Sequence, residues 1–326
     1  MWYNKRTIKN LCFLKIEYSV KRGNIFCDLL VMNMKEKLTA LSLEIGNTPI
    51  IQVGEVFAKL EGRNPAGSVK DRVGFYIVKD AVERGLVREG GLVVEATSGN
   101  TGIGIAYATM ALNIGFVAVM PDNMTVERIN LMKKYGAEVV LTPASEGMAG
   151  SVAKAKEIAL GGGYMANQFS NPQSVEAHYK TTAPEIFKDM ADVDYIVLGV
   201  GSGGTAMGIK KYIEEKGLKT KVVGVEPYES PLMTKGESAP HKIQGIGANF
   251  IPEILDVKAL DIVCTVKGDD AIKAVKEIYN LSGEKCGISS GASYIVAKAL
   301  KKENPNAKVL AIFPDNGERY SENLYI

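Results

Sequence analysis

From about residue 50 onward, short apolar and β-branched runs alternate with stretches of helical period. The runs are Val56–Leu60, Leu92–Glu95, Phe116–Met120, Glu138–Leu141, Tyr195–Val200, Val222–Val225 and Val309–Phe313. Between them, Val69–Arg84, Thr125–Tyr135, Ser151–Ala159, Met207–Glu215 and Asp270–Leu281 read as amphipathic helices. Largely apolar strands alternating with helices predict an α/β fold of mostly parallel sheets, each flanked by helices on both faces. Gly85, Gly136 and Gly217 stand where helix C-termini are expected. A division near Ser170-Asn171-Pro172 predicts two such domains, a smaller one over 34–171 and a larger one over 172–326, with separate sheets.

The stretch from Ala96 to Pro121 carries no charge. Ser98-Gly99-Asn100-Thr101-Gly102 opens it and Asn113-Ile114-Gly115 interrupts it, so it reads as loop, helix, turn and buried strand. It does not read as one membrane helix.

Composition narrows the functional classes. A net charge of +2 over 326 residues gives no strong basic field, so neither nucleic acid nor an anionic membrane is the expected partner. Four cysteines with no CxxC pair, and only His178 and His241, supply a metal site poorly, and none is expected. The first 33 residues hold six basic side chains against two acidic ones, a charge of +4 that leaves −2 for the remainder. Their apolar stretches are short and broken by Lys15, Glu17 and Asp28, unlike a secretory signal. We expect residues 1–33 to be an extension outside the fold, with Met32 or Met34 as the effective start, and the protein to be cytoplasmic.

Three glycine-rich turns follow predicted strands. Thr97-Ser98-Gly99-Asn100-Thr101-Gly102 offers hydroxyls and unpaired N–H groups at a helix start, which suits an anion or simply caps the helix. Gly199-Val200-Gly201-Ser202-Gly203-Gly204-Thr205 can close its backbone around a phosphate. It also satisfies GxGxxG, with Glu226 ending the next strand, so taken alone it supports a dinucleotide enzyme. Gly287-Ile288-Ser289-Ser290-Gly291 is compatible with a ligand or with capping alone. Lys70, in Ser68-Val69-Lys70-Asp71-Arg72, falls in the first turn of a predicted helix, where the dipole lowers a lysine pKa. Most Lys-Asp-Arg runs are solvated charge clusters, yet a lowered pKa is what a Schiff-base lysine needs.

Jointly, these strings resemble the fold-type II pyridoxal-phosphate enzymes, and most specifically the cysteine synthase (O-acetylserine sulfhydrylase) family, which is related to cystathionine β-synthase. The resemblance runs from Ile45-Gly46-Asn47-Thr48-Pro49 to Gly317-Glu318-Arg319-Tyr320 and includes His241-Lys242-Ile243-Gln244-Gly245-Ile246-Gly247. It implies that Lys70 carries pyridoxal 5'-phosphate as a Schiff base and then moves the substrate Cα proton. It implies phosphate binding by Gly201, Ser202, Gly203, Gly204 and Thr205, a contact from Ser289 to the pyridine nitrogen, and one from Asn100 to the ring hydroxyl. Thr97, Ser98, Thr101 and Gln168 would bind the substrate carboxylate. A neutral serine at the ring nitrogen makes the ring a weaker electron sink than an aspartate would, which suits β-elimination.

The implied reaction is β-replacement of O-acetyl-L-serine by sulfide, in a homodimer, and the resemblance also implies a site that accepts the C-terminal tail of serine acetyltransferase. Ala248-Asn249 after Gly-Ile-Gly departs from the Tyr-Asp usual in cystathionine synthases. The span Ile51–Ala58 is shorter than is usual in the family, and Cys286 is expected to be a packing residue. Rival readings are a β-replacing enzyme using serine, phosphoserine or cysteine as donor, a dehydratase, an NAD-dependent oxidoreductase and an inactive homologue acting as a binding partner. The last is disfavoured by the intact Lys70.

Overall fold

A computed structural model describes residues 32–124 and 126–326. Helix α1 (Met34–Glu44) opens on a capping box: Glu36 N–H donates to Asn33 Oδ1 at 3.1 Å, and Asn33 N–H donates to the Glu36 carboxylate at 3.0 Å. Leu38 and Leu41 bury its inner face, and Met32 packs against the same core. The expected boundary after residue 33 therefore moves. Met32 and Asn33 belong to the fold, and the rest of the proposed extension, 1–31, lies outside the described residues.

Strands β1 (Ile50–Val53) and β2 (Val56–Leu60) form a hairpin with Val53 opposite Val56. Gly54, at φ +59°, makes this two-residue turn possible, and the short span noted in the sequence is this hairpin. The chain continues through α2 (Lys70–Glu83), β3 (Leu92–Ala96), α3 (Asn100–Ala111), β4 (Gly115–Pro121), α4 (Val126–Lys134), β5 (Glu138–Thr142), α5 (Gly147–Leu160) and β6 (Tyr164–Met165). Then come α6 (Gln173–Ala177), a π turn at His178–Thr182, α7 (Ala183–Asp189), β7 (Tyr195–Gly199), α8 (Gly204–Glu215), β8 (Lys221–Pro227) and α9 (Leu232–Lys235). The last elements are β9 (Ile262–Val266), α10 (Gly268–Ser282), α11 (Ile288–Glu303) and β10 (Val309–Phe313).

Ten strands form two sheets among the described residues. One is four-stranded, in the order β5-β4-β3-β6, and wholly parallel. The other is six-stranded, β1-β2-β10-β7-β8-β9, and parallel except for β1. The expectation that strands before and after Ser170 separate into two sheets is corrected here. β1 and β2 precede that point yet join the second sheet, with Phe57 opposite Leu310. The cause is burial: Val53, Val56, Ala58 and Leu60 share a core cluster with Val309 and Ala311.

Helix α3 is buried nearly all round, which is why it showed no amphipathic stripe. It packs on α2 at very close range. A Cβ on Gly104 would stand 2.3 Å from Lys70 O, and one on Gly74 would stand 2.4 Å from Gly104 C. Two glycines at the crossing thus bring the starts of α2 and α3 together, and with them Lys70 and Asn100.

Candidate active site

A cavity of about 700 Å³ opens where the C-terminal ends of β3, β6, β7 and β10 converge. Crevices at strand C-termini are where parallel α/β proteins hold ligands. Eleven of the twelve predicted site residues line it: Lys70, Thr97, Ser98, Asn100, Thr101, Gln168, Gly201, Ser202, Gly203, Thr205 and Ser289. Gly204 does not. A Cβ there would lie 2.7 Å from Ser174 O, so this glycine serves the packing of α8 on α6.

Lys70 is the first residue of α2, and Ser68 Oγ accepts its backbone N–H at 3.2 Å. Its Nζ donates to Ser202 Oγ at 3.1 Å. Burial holds the amine down at about 8. The two charges beside it are not a solvated cluster. Asp71 is buried and accepts the Ala66 N–H at 2.6 Å. Arg72 is buried and lies between Glu61, at 2.7 Å, and Glu185, at 2.6 Å, with Lys59 also 2.8 Å from Glu185. This network fixes the first turn of α2 to β2 and α7.

The turn after β3 leads into α3 with no side-chain cap on the first N–H groups. Thr97 Oγ1 accepts the Gly99 N–H at 3.3 Å, and the Thr101 hydroxyl donates to Gln168 Oε1. Gln168 is held from behind by Glu95, whose carboxylate accepts the N–H groups of Asn167 at 2.7 Å and Gln168 at 3.4 Å. Burial pushes the Glu95 carboxyl up to about 7. The sequence places Glu95 at the end of a strand and the head of the glycine-rich turn, with no role at the site. Its one signal was a charge closing an apolar run.

The loop between β7 and α8 is shaped by close approach. Gly203 has φ +87°, and a Cβ on Gly201 would meet Gly245 O at 2.4 Å. No side chain caps α8, so its first N–H groups face the cavity end of the helix. Thr205 Oγ1 lies 3.2 Å from His178 Nε2, and His178 Nδ1 lies 2.9 Å from Thr182 Oγ1. Burial pushes His178 down to about 3, so its ring is neutral. His178 was invisible as a site residue because only the π turn brings it beneath Thr205.

Ser289, the second residue of α11, faces the cavity, whereas the adjacent Ser290 is buried and does not line it. Cys286 is buried and its thiol is pushed up to about 12, which makes it a packing residue. The dinucleotide reading loses its acid. Glu226 is buried and accepts from Met233 N–H at 2.7 Å, Thr234 N–H at 3.1 Å and Thr234 Oγ1 at 2.6 Å, outside the cavity. Among the described residues, no group of three or more His, Cys, Asp or Glu is placed to hold a metal ion. No helix among them is long and apolar enough to cross a membrane.

The model of one protein family, "Pyridoxal-phosphate dependent enzyme", matches residues 41–315. The chain is 46% identical to cysteine synthase B of Campylobacter jejuni over 296 residues, covering 89% of this chain and 98% of that protein. Among solved structures, O-ureido-L-serine synthase superposes with a TM-score of 0.84 at 38% identity, covering 87% of this chain and 94% of that one. Cysteine synthase of Entamoeba histolytica superposes with a TM-score of 0.82 at 38% identity, covering 87% and 90%.

Proposed function

The chain belongs to the pyridoxal-phosphate-dependent enzymes, among the cysteine synthases, and from that premise we propose that it converts O-acetyl-L-serine and sulfide to L-cysteine and acetate. The observation that carries the reading is one cavity in which an amine held at about 8 lies between a glycine cradle and an uncapped, hydroxyl-rich helix start.

The residues fit the cofactor. Gly201 and Gly203 let this loop close against Gly245 and Leu255, where a Cβ would stand 2.4 Å from Gly245 O and 2.8 Å from Leu255 Cβ, and the uncapped α8 N-terminus favours a phosphate beside it. Gly201 through Thr205 would hold the phosphate, Asn100 and Ser289 the ring, and Lys70 the aldehyde carbon. When bound, pyridoxal phosphate supplies an electron sink for the substrate Cα. The hydroxyls of Thr97, Ser98 and Thr101 and the N–H groups of Ser98 and Thr101, with Gln168, would orient the substrate carboxylate. Lys70 Nζ, poised near neutrality by burial, would take the Cα proton as acetate departs, and sulfide would then add at Cβ while Lys70 returns the proton. Atoms balance: the acetoxy group leaves as acetate, and the new bond is Cβ–S.

Turnover measured with O-acetylserine, O-phosphoserine, serine and cysteine, each with sulfide, tests the reading. O-Acetylserine should be preferred at least tenfold, and a preference for another donor would replace it. The breadth of the assay is motivated by O-ureido-L-serine synthase, whose structure this chain resembles.

The protein acts as a homodimer, as light scattering would show. It works in the cytoplasm, in keeping with the unpaired thiols of Cys264 and Cys286. The N–H groups of Ser98, Asn100 and Thr101 would also receive the C-terminal carboxylate of serine acetyltransferase, and a peptide of that tail should compete with O-acetylserine.

A further inference from the structure

Asp315 follows β10 and is 4% exposed. Its backbone bridges to Ser68, and Pro314 O accepts the Val69 N–H at 2.7 Å, so it is tied to the turn that delivers Lys70. Its Oδ2 accepts from Asn100 Nδ2 at 2.9 Å and from the Tyr320 hydroxyl at 3.0 Å. Its Oδ1 is buried and has no hydrogen-bond partner. A Cβ on Gly287 would stand 2.2 Å from that oxygen, so Oδ1 lies against the backbone that starts α11 and carries Ser289. One carboxyl group thus touches the starts of α3 and α11 while its backbone is joined to the start of α2, and it lines the cavity.

An asparagine amide turns easily about its last torsion. The hydrogen bond to Oδ2 commits one Asn100 N–H and fixes the plane in which the other N–H and the carbonyl point. We propose that Asp315 is a positioning residue that holds the Asn100 amide in the orientation that meets the cofactor ring. The inference rests on the functional reading above, because it takes Asn100 to face pyridoxal phosphate.

The test is a double-mutant cycle on the full chain, read by titration with pyridoxal phosphate and by the visible absorption of the bound cofactor. Asp315→Ala should weaken cofactor binding about tenfold and shift the absorption band, as loss of a supporting partner commonly does at a bound group. In an Asn100→Ala background the same change should add less than about twofold, since its effect passes through Asn100. Asp315→Asn, which keeps an acceptor oxygen, should recover most of the affinity. If Asp315→Ala fails to fold, Asp315→Ser takes its place, keeping a hydroxyl near Tyr320 but falling short of Asn100. An undiminished loss in the Asn100→Ala background, or binding and absorption unchanged by Asp315→Ala, overturns the proposal while leaving the functional reading standing. A wild-type chain that takes up no pyridoxal phosphate overturns the functional reading and this one with it.

Discussion

Lys70 Nζ donates to Ser202 Oγ at 3.1 Å, and this hydrogen bond spans the cavity between the element groups of the two sheets. Lys70 opens α2, which packs with α3 beside the four-stranded sheet. Ser202 precedes α8 at the end of β7, in the six-stranded sheet. A buried ammonium needs an acceptor. Here the acceptor is a neutral hydroxyl, which holds the amine in place without a counter-charge to stabilise its proton.

Lys70→Ala should fold and lose turnover together with the visible band of covalently held cofactor. The pH dependence of its stability should also change. The Lys70 pKa in the fold is about 8, below the unfolded value near 10.4, so the unfolded chain binds more protons between those values. Stability from this group therefore rises as pH rises from about 8 to 10. Urea unfolding of both proteins, freed of cofactor so that the Lys70 amine titrates, checks it across that window: the slope should be smaller in Lys70→Ala. Retained turnover in the variant would remove Lys70 from the chemistry.

Thr101→Ala and Glu95→Gln act on the substrate side. Thr101 donates to Gln168, and Glu95 fixes the backbone of the same residue. Both variants should raise KM for the amino donor, about tenfold for Thr101→Ala, whose lost contact is a hydrogen bond of about 1–1.5 kcal/mol. Both should leave the affinity for pyridoxal phosphate within about twofold of wild type. Parallel loss of cofactor and donor binding would show that the turn after β3 supports the cofactor instead.

His178 predicts an acid limit. Its folded pKa of about 3 lies below the unfolded 6.5, so below pH 6.5 the unfolded chain gains a proton that the native chain does not. The stability it contributes is present above pH 6.5 and is lost as pH falls towards 3. His178→Gln should flatten the acid limb of the stability curve by up to one proton, and should weaken cofactor binding because Thr205 loses its partner. Denaturant melts between pH 4 and 7 measure the slope.

Strands at the centre of each sheet were legible because they are continuously apolar, as Phe116–Met120 and Val309–Phe313 show. β9 was missed because Cys264 and Thr265 dilute its pattern, and β6 because Tyr164–Met165 is only two residues long. The site was legible as strings, since hydroxyls and glycines at helix starts leave a local mark. Glu95, His178 and Asp315 were not, because each acts on a residue distant in sequence. His178 reaches Thr205, 27 residues on, and Asp315 reaches Asn100, 215 residues back. The joining of β1 and β2 to the far sheet was hidden for the same reason. Nothing in Ile50–Leu60 states which sheet will accept it.

The N-terminal boundary can be measured directly. From charge and motif, a chain beginning at Met34 is expected to keep the cofactor, the turnover and nearly the same melting temperature. The capping box sets the size of the difference, because Asn33 supplies the acceptor for Glu36 N–H, and a chain beginning at Met34 lacks that side chain. Loss of an Asn cap costs about 1 kcal/mol, and removing Met32 also takes an apolar contact from the core behind α1. For a protein of this size the melting temperature should fall by about 2 °C relative to a chain beginning at Met32. Cofactor binding and turnover should be equal in the two, since among the described residues none before Val69 lines the cavity. The full chain should then match the chain beginning at Met32 if residues 1–31 add no packing. A higher melting temperature for the full chain would show that those residues dock on the fold.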